Sequence, residues 1–402
     1  RFSLGQTGNS ASGASLYLGS YASGNNYMDM SAITPSSMQL NKLKWETTTE
    51  YNTGLDATFL KGKLRFTVDV YQKYVKDLLQ PKVKMPTTIG YGNGYQISYM
   101  NSGKMTNKGW EFRVDAVPFQ NKDWRVGVYF NIAHNENKIT EMPDNYIEEN
   151  YTFGNGNYAY RREEGRPMGS FYGYRYKGVY QNKDATYARD IEGNVMKDIS
   201  GNAIVMRNGS YTVAPGDAIY EDVNHDGVIN QYDIVYLGNS NPRLTGGAGL
   251  NVSYKQFKLS AIFYGRYGQD VVNATRLNNE SMRGIDNQST AVLRRWRNEG
   301  DQTDIPRALY GEGYNTLGSD RFVEDASYLR LKSLSFTYRL PKKAIQRWGF
   351  NNIDVYVTGY NLFTWTNYTG QDPEVKTENT YAKDTATTPA SIQLVAGFNL
   401  SF

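Results

Sequence analysis

The chain has 402 residues, no cysteine and a formal net charge of +4, with 44 basic residues nearly balanced by 40 acidic ones. The lack of cysteine removes thiol catalysis and cysteine-based metal sites and suits an oxidising, extracytoplasmic compartment, while the small, unclustered charge gives nucleic-acid binding no support. Aromatic residues reach 14%, 34 of them tyrosine, and no window approaches the roughly 18 apolar residues of a membrane helix; this balance fits a transmembrane β-barrel with aromatic girdles or a tyrosine-rich soluble sandwich or propeller.

"RFSLGQTG", residues 1–8, reads as the tail of a strand already under way, which implies that an N-terminal part of the protein lies outside this chain. In "WETTTEYNTGLDATF", Trp45, Tyr51, Leu55, Ala57 and Phe59 share a face against Glu46, Glu50, Asn52 and Asp56. A short turn at Lys61-Gly62-Lys63 leads into "KLRFTVDVYQKY", where Leu64, Phe66, Val68 and Val70 oppose Arg65, Thr67, Asp69 and Tyr71. "KGWEFRVDAVPF" turns through Asn121-Lys122-Asp123 into "WRVGVYFNIAHN", and "GAGLNVSYKQFKLSAIFYG" turns at Lys255-Gln256. "YLRLKSLSFTYRL" meets "IDVYVTGYNLF" through "PKKAIQRWGFNN". The chain closes on "SIQLVAGFNLSF", in which Ile392, Leu394, Ala396, Phe398, Leu400 and Phe402 form one apolar face.

Much longer polar segments separate these hairpins, at about 9–44, 77–106, 182–244, 269–326 and 366–390. Alternation of tight and long connections is the layout of outer-membrane barrels, with short periplasmic turns and long extracellular loops. Parity then requires one further strand between residues 138 and 168, turning at Glu164-Gly165-Arg166-Pro167. The expected fold is all-β, an antiparallel transmembrane β-barrel of which residues 1–402 supply about 12 strands. Open strand edges in lipid leave backbone groups unpaired, so this chain is expected to close against further strands.

"LKWETTTEYNTGLDATFLKGKL", "NSGKMTNKGWEF", "EGRPMGSFYGYRYKGVYQ", "YEDVNHDGVINQYDIVYLGNSNPRLTGG", "VEDASYLRLKSLSFTYRLP" and "YNLFTWTNYTGQDPE" together resemble, in order, the C-terminal half of SusC/RagA-type TonB-dependent transporters of Bacteroidetes. The resemblance implies a barrel of about 22 strands, an N-terminal plug, and coupling to the TonB complex through the part outside this chain. It also implies an extracellular SusD-like lipoprotein, a possible dimer of transporter–lipoprotein pairs, and import of an oligosaccharide or, less often, an oligopeptide. Phe402 is similar to the terminal aromatic of the barrel-assembly signal. A passive porin and a surface-binding barrel are the alternative functions. The N-terminal plug distinguishes the importer from the porin.

One motif carries chemistry of its own. In "DVNHDGVINQYD", Asp222, Asn224 and Asp226 occupy positions 1, 3 and 5 of a calcium loop, Gly227 position 6, Val228 position 7 through its carbonyl, Asn230 position 9 and Asp233 position 12. Hard oxygen ligands at this spacing suit Ca²⁺ first and Mg²⁺ second; the alternative is a metal-free Asx-Gly turn. Tyr91, Tyr95, Tyr99, Tyr310, Tyr314 and Tyr381 fall in the long loops, where rings can stack on cargo. The two histidines, His134 and His225, have no visible nucleophile or acid partner, so the reading is a non-enzymatic protein of the outer membrane, with lipid around it.

Overall fold

The computed structural model describes residues 1–10, 17–84, 96–142, 151–346, 349–378 and 381–402. They divide into two compact units, one of residues 1–120, 126–148 and 162–168, the other of residues 121–125, 149–161 and 169–402.

The first unit contains β1 (Phe2–Asn9), β2 (Ser20–Tyr27), β3 (Met30–Ser37), β4 (Glu46–Phe59), β5 (Leu64–Lys76), β6 (Leu79–Lys84), β7 (Gln96–Asn101), β8 (Lys104–Gln120) and β9 (Trp124–Glu141). The five strands β1, β4, β5, β8 and β9 lie side by side in that order, while β2–β3 and β6–β7 are separate hairpins within the long connections. Register explains which residues meet. Leu55, Val68 and Phe112 form one cross-strand row, and Ala57, Phe66 and Val114 the next. The opposite face carries Asp56, Thr67 and Arg113, with Thr67 Oγ1 donating to Asp56 at 3.0 Å. Leu55 and Phe59 are exposed, so the apolar rows form an outer surface with no core over it. Each row adds about 0.2–1 kcal/mol per cross-strand pair.

The second unit begins with β10 (Ser170–Gly173), β11 (Tyr176–Val179), β12 (Arg207–Asn208), β13 (Tyr211–Thr212), β14 (Ala218–Tyr220), β15 (Val228–Ile229) and β16 (Val235–Asn239). It continues through β17 (Leu244–Tyr254), β18 (Phe257–Tyr267), β19 (Asp270–Asn273), α1 (Ala274–Asn279), β20 (Val323–Asp325), β21 (Tyr328–Arg339), α2 (Lys342–Ile345), β22 (Asn352–Thr366), β23 (Thr377–Glu378), β24 (Tyr381–Asp384) and β25 (Gln393–Ser401). β17, β18, β21, β22 and β25 form consecutive antiparallel pairs. On their apolar face Leu259 meets Phe336, which meets Val357, which meets Ala396. Two aromatic groups bracket that face: Phe257, Phe336 and Tyr338 near the β17–β18 turn, and Phe263, Phe363 and Trp365 toward the other end. From Phe257 to Phe263 the strand runs about 20 Å at ~3.4 Å per residue, a spacing suited to girdles flanking a lipid-facing band.

In each unit the short turns share one end of the strands. The longer connections leave from the other end, and those of the second unit are folded bodies with cores of their own: Tyr172, Tyr174, Tyr220, Ile229 and Leu317 are buried together, as are Phe171, Val272 and Phe322.

Among the described residues, the strand expected between residues 138 and 168 is not formed. Ile139 N donates to Arg166 O and Gly165 N to Ile139 O, both at 2.9 Å, so the Glu164–Pro167 turn folds back on the end of β9 remote from the Asn121–Asp123 turn. β10 and β11, which come from the same stretch, pair with β16 and β14 inside the folded connection. The alternation of Phe171, Tyr172 and Tyr174 therefore reflects burial on both faces, and among the described residues ten long strands stand where about twelve were expected. With the whole stretch between β9 and β17 taken as one long connection, two expected strands drop out together and the parity of short and long connections closes.

Candidate functional site

The folded connection of the second unit is tied together by Asp217. Its fully buried carboxylate accepts from Arg307 Nε at 2.7 Å and Nη2 at 3.2 Å, Ala214 N at 2.8 Å, Tyr211 Oη at 3.2 Å and Asn315 Nδ2 at 3.3 Å. Asn315 also accepts from Ala218 N at 2.9 Å, so both the side chain and the backbone of this segment bind the stretch before β20. The Asp217 hydrogen bond and charge raise the Arg307 pKa further. A close backbone approach adds to this join: a Cβ on Gly318 would lie 2.0 Å from Asn157 O, leaving room for glycine alone.

The Asp222–Asp233 loop is built onto this body. Asp222 accepts from Gly227 N at 2.8 Å, Asp226 from Val228 N at 2.8 Å, and Asn224 from Asp226 N at 3.2 Å. These bonds curl the chain around its own carboxylates. Gly227 has φ +81°, and a Cβ there would lie 3.0 Å from that of Ala188, so both conformation and space call for glycine. Ile229 is fully buried, and β15 runs parallel to β12, with Arg207 opposite Val228. Asp233 closes the loop: its carboxylate accepts from Val223 N and Asn230 N, each at 2.8 Å. Burial, and secondarily the charges of Asp222 and Asp226, push the Asp233 carboxyl above its usual range, against the hydrogen bonds it accepts. Asn230 caps the following 3₁₀ turn by accepting from Tyr232 N at 2.8 Å. Thus the donors of the expected cation loop are held in one curl, with the side chains also serving as backbone acceptors. Among the described residues no three acidic or histidine side chains converge as a finished metal cluster.

Two turns of nearly identical sequence precede this loop. In "DIEGN" and "DISGN", Asp190 and Asp198 each accept from the backbone two and four residues on, at 2.8–3.0 Å. These bonds, those from Asn194 and Asn202 above all, lower both carboxyls. Ile191 and Ile199 stand outside, 82% and 108% exposed.

The expected loop aromatics fare differently. Tyr91 and Tyr95 lie outside the described residues, and Tyr99 falls on β7. Tyr310 is 75% exposed. Tyr314 is packed instead, its ring 4.7 Å from that of Phe153, and Tyr381 lies 5.3 Å from Phe171, its phenol raised by burial. Both fill cores between connections, which hydrophilic surroundings in the sequence conceal. Phe402 is exposed beyond β25, its ring 5.2 Å from that of Phe350.

A cavity of about 840 Å³ was not foreseen from sequence. It is lined by Arg266, Asp372, Glu374, Lys376, Lys383 and the threonines near residue 387, among others. Its cations come from β18, β24 and the segment between β22 and β23, positions without any common local pattern.

Exposed apolar rows, hydrogen-bonding opposite faces, aromatic bands and folded connections at the end opposite the turns define a β-barrel of the outer membrane. The chain belongs to the family described as TonB dependent receptor-like, beta-barrel, whose model matches residues 1–362. It is 32% identical over 346 residues to TonB-dependent receptor P3 of Formosa agariphila, covering 84% of this chain and 32% of that protein. It is 29% identical over 369 residues to TonB-dependent receptor SusC of Bacteroides thetaiotaomicron, covering 90% of the chain and 32% of that protein. Among solved structures it is similar to the RagAB peptide importer in the closed-closed state, with 27% identity and a TM-score of 0.73 over 100% of this chain and 40% of the other. The chain therefore spans about a third of the length of these curated relatives, and is of the SusC/RagA type.

Proposed function

We propose that the full-length protein is a TonB-dependent importer of oligomeric nutrients, oligosaccharides foremost, working with a SusD-like lipoprotein on its extracellular side. The observation that carries import, whichever the oligomer, is the fold shared with the RagAB peptide importer over 100% of this chain. That neighbour also motivates the second reading, an oligopeptide importer. In either case the folded connections supply a preformed surface for cargo and lipoprotein, which reduces the ordering cost of binding. The Asp222–Asp233 loop belongs to that surface as a Ca²⁺ site, with Mg²⁺ second, using Asp222, Asn224, Asp226, the Val228 carbonyl and Asp233, and Asn230 directly or through water.

The test compares cells carrying the full-length gene, a deletion, and a version lacking the TonB-interacting segment. Growth on oligosaccharides and on peptides as sole carbon source is followed, with the corresponding monomers as controls. Loss of growth on an oligosaccharide in both mutants, with monomer growth intact, is the expected result. Loss confined to peptides supports the second reading, and unimpaired growth on every oligomer overturns import.

A further inference from the structure

The cavity beside β18 has an unbalanced charge. Asp372 and Glu374 line it, but both are engaged elsewhere: Asp372 binds Arg330 and accepts from Glu374 N and Ala390 N at 2.9 Å, and Glu374 binds Arg330 Nη1 and Lys332 Nζ at 2.9 Å. Arg266, Lys376 and Lys383 line the same cavity. Arg266 Nε donates to Tyr264 Oη at 3.1 Å, a neutral oxygen. Lys376 and Lys383 are exposed and form no ion pair among the described residues. Arg266 pairs across the ladder with Tyr328, whose hydroxyl has no hydrogen-bond partner among the described residues although the residue is only 5% exposed. Two lysines without an ion pair among the described residues, beside an arginine whose acidic neighbour Glu374 is already shared by Arg330 and Lys332, mark a place where a ligand oxyanion belongs.

We propose that this cavity binds an acidic sugar unit of the cargo, with its carboxylate or sulfate among Arg266, Lys376 and Lys383. Ser240, Asn241, Thr387 and Thr388 on the lining provide hydroxyl and amide groups that both donate and accept, matching sugar hydroxyls. A volume of about 840 Å³ accommodates a short oligomer. The proposal rests on the import reading and narrows its substrate class to anionic oligosaccharides.

The experiment uses the purified full-length protein in detergent, without TonB, and measures binding of a trigalacturonate, the neutral trigalactose, a tetraglutamate and a tetraglutamine. The expected result is binding of trigalacturonate at least about tenfold tighter than trigalactose at low salt, an advantage that shrinks in about 0.5 M NaCl. Lys376→Gln combined with Lys383→Gln should abolish most of the advantage, while Lys343→Gln, on α2, should leave it intact. Equal affinity for acidic and neutral sugars overturns the proposal, as does a preference untouched by the double variant. Tighter binding of tetraglutamate than trigalacturonate overturns the sugar assignment. Because binding is read without energy coupling, failure of uptake in cells bears on the import reading alone.

Discussion

Asp217 shows how a single side chain organises a loop that sequence alone presents as hydrophilic. It accepts five hydrogen bonds, and its guanidinium partner lies 90 residues away. Asp217→Ala leaves Arg307 without its counter-charge and is expected to cost about 3 kcal/mol locally, the lower end of the range for a broken buried pair because Arg307 is 30% exposed. Hydrogen exchange should rise in residues 207–218 and 305–317 and stay constant in β17 to β25; uniform protection would contradict the role given to Asp217. The curl of Asp222–Asp233 was legible, since the side chains that close it lie close together in the sequence. Asp217 was not, because nothing local marks a residue whose partners come from distant segments. For the cation loop, Asp222→Ala with Asp226→Ala should reproduce the effect of a chelator, raising protease cleavage within residues 222–233 while the barrel stays assembled. If chelator leaves cleavage unchanged and well-resolved density there shows no ion, the motif is an ordinary turn.

At the scale of elements, alternation identified the long strands because one face meets an apolar and the other a polar environment. It misled at residues 151–180, where tyrosines buried on both faces imitate a spanning strand. The turn at residues 60–63 is a short connection and helix α1 belongs to a long one, the two kinds that outer-membrane barrels keep on opposite sides of the membrane. Cysteines introduced singly at Lys63 and Asn279, both exposed, should therefore differ on intact cells: an impermeant maleimide should label the second and spare the first. Equal labelling would overturn the topology. Phe402 tests the last strand. Deleting it or replacing it with Asp removes the contact with Phe350 and the end of the apolar row, and is expected to lower the heat-modifiable fraction in outer membranes without lowering synthesis. An unchanged fraction would reduce Phe402 to a packing residue.

For the whole molecule, the decisive feature is that the long strands carry apolar rows exposed on one face. Leu394 and Phe398 are 76% and 68% exposed on the last strand, and neighbouring strands continue the same surface. Burying such side chains from water yields about 1.5–3 kcal/mol each, which lipid supplies here. The full-length protein is accordingly expected to require detergent for solution and to migrate faster in gels before heating than after. A monodisperse, detergent-free protein would be incompatible with the barrel.

The twin turns at Asp190 and Asp198 carry a consequence for how such a surface diversifies. Each is closed by its own aspartate, and the further bond at Gly193 O, from Arg189 Nη1 at 2.9 Å, stays at the base of the same turn. Ile191 and Ile199 sit at their tips like interchangeable fittings on a fixed bracket. Substitutions and short insertions there can alter what the cell surface presents to its surroundings without reaching the Gly318 contact or the strands beneath, giving selection, or a designer seeking a place for an epitope tag, a region that varies at little risk to the fold.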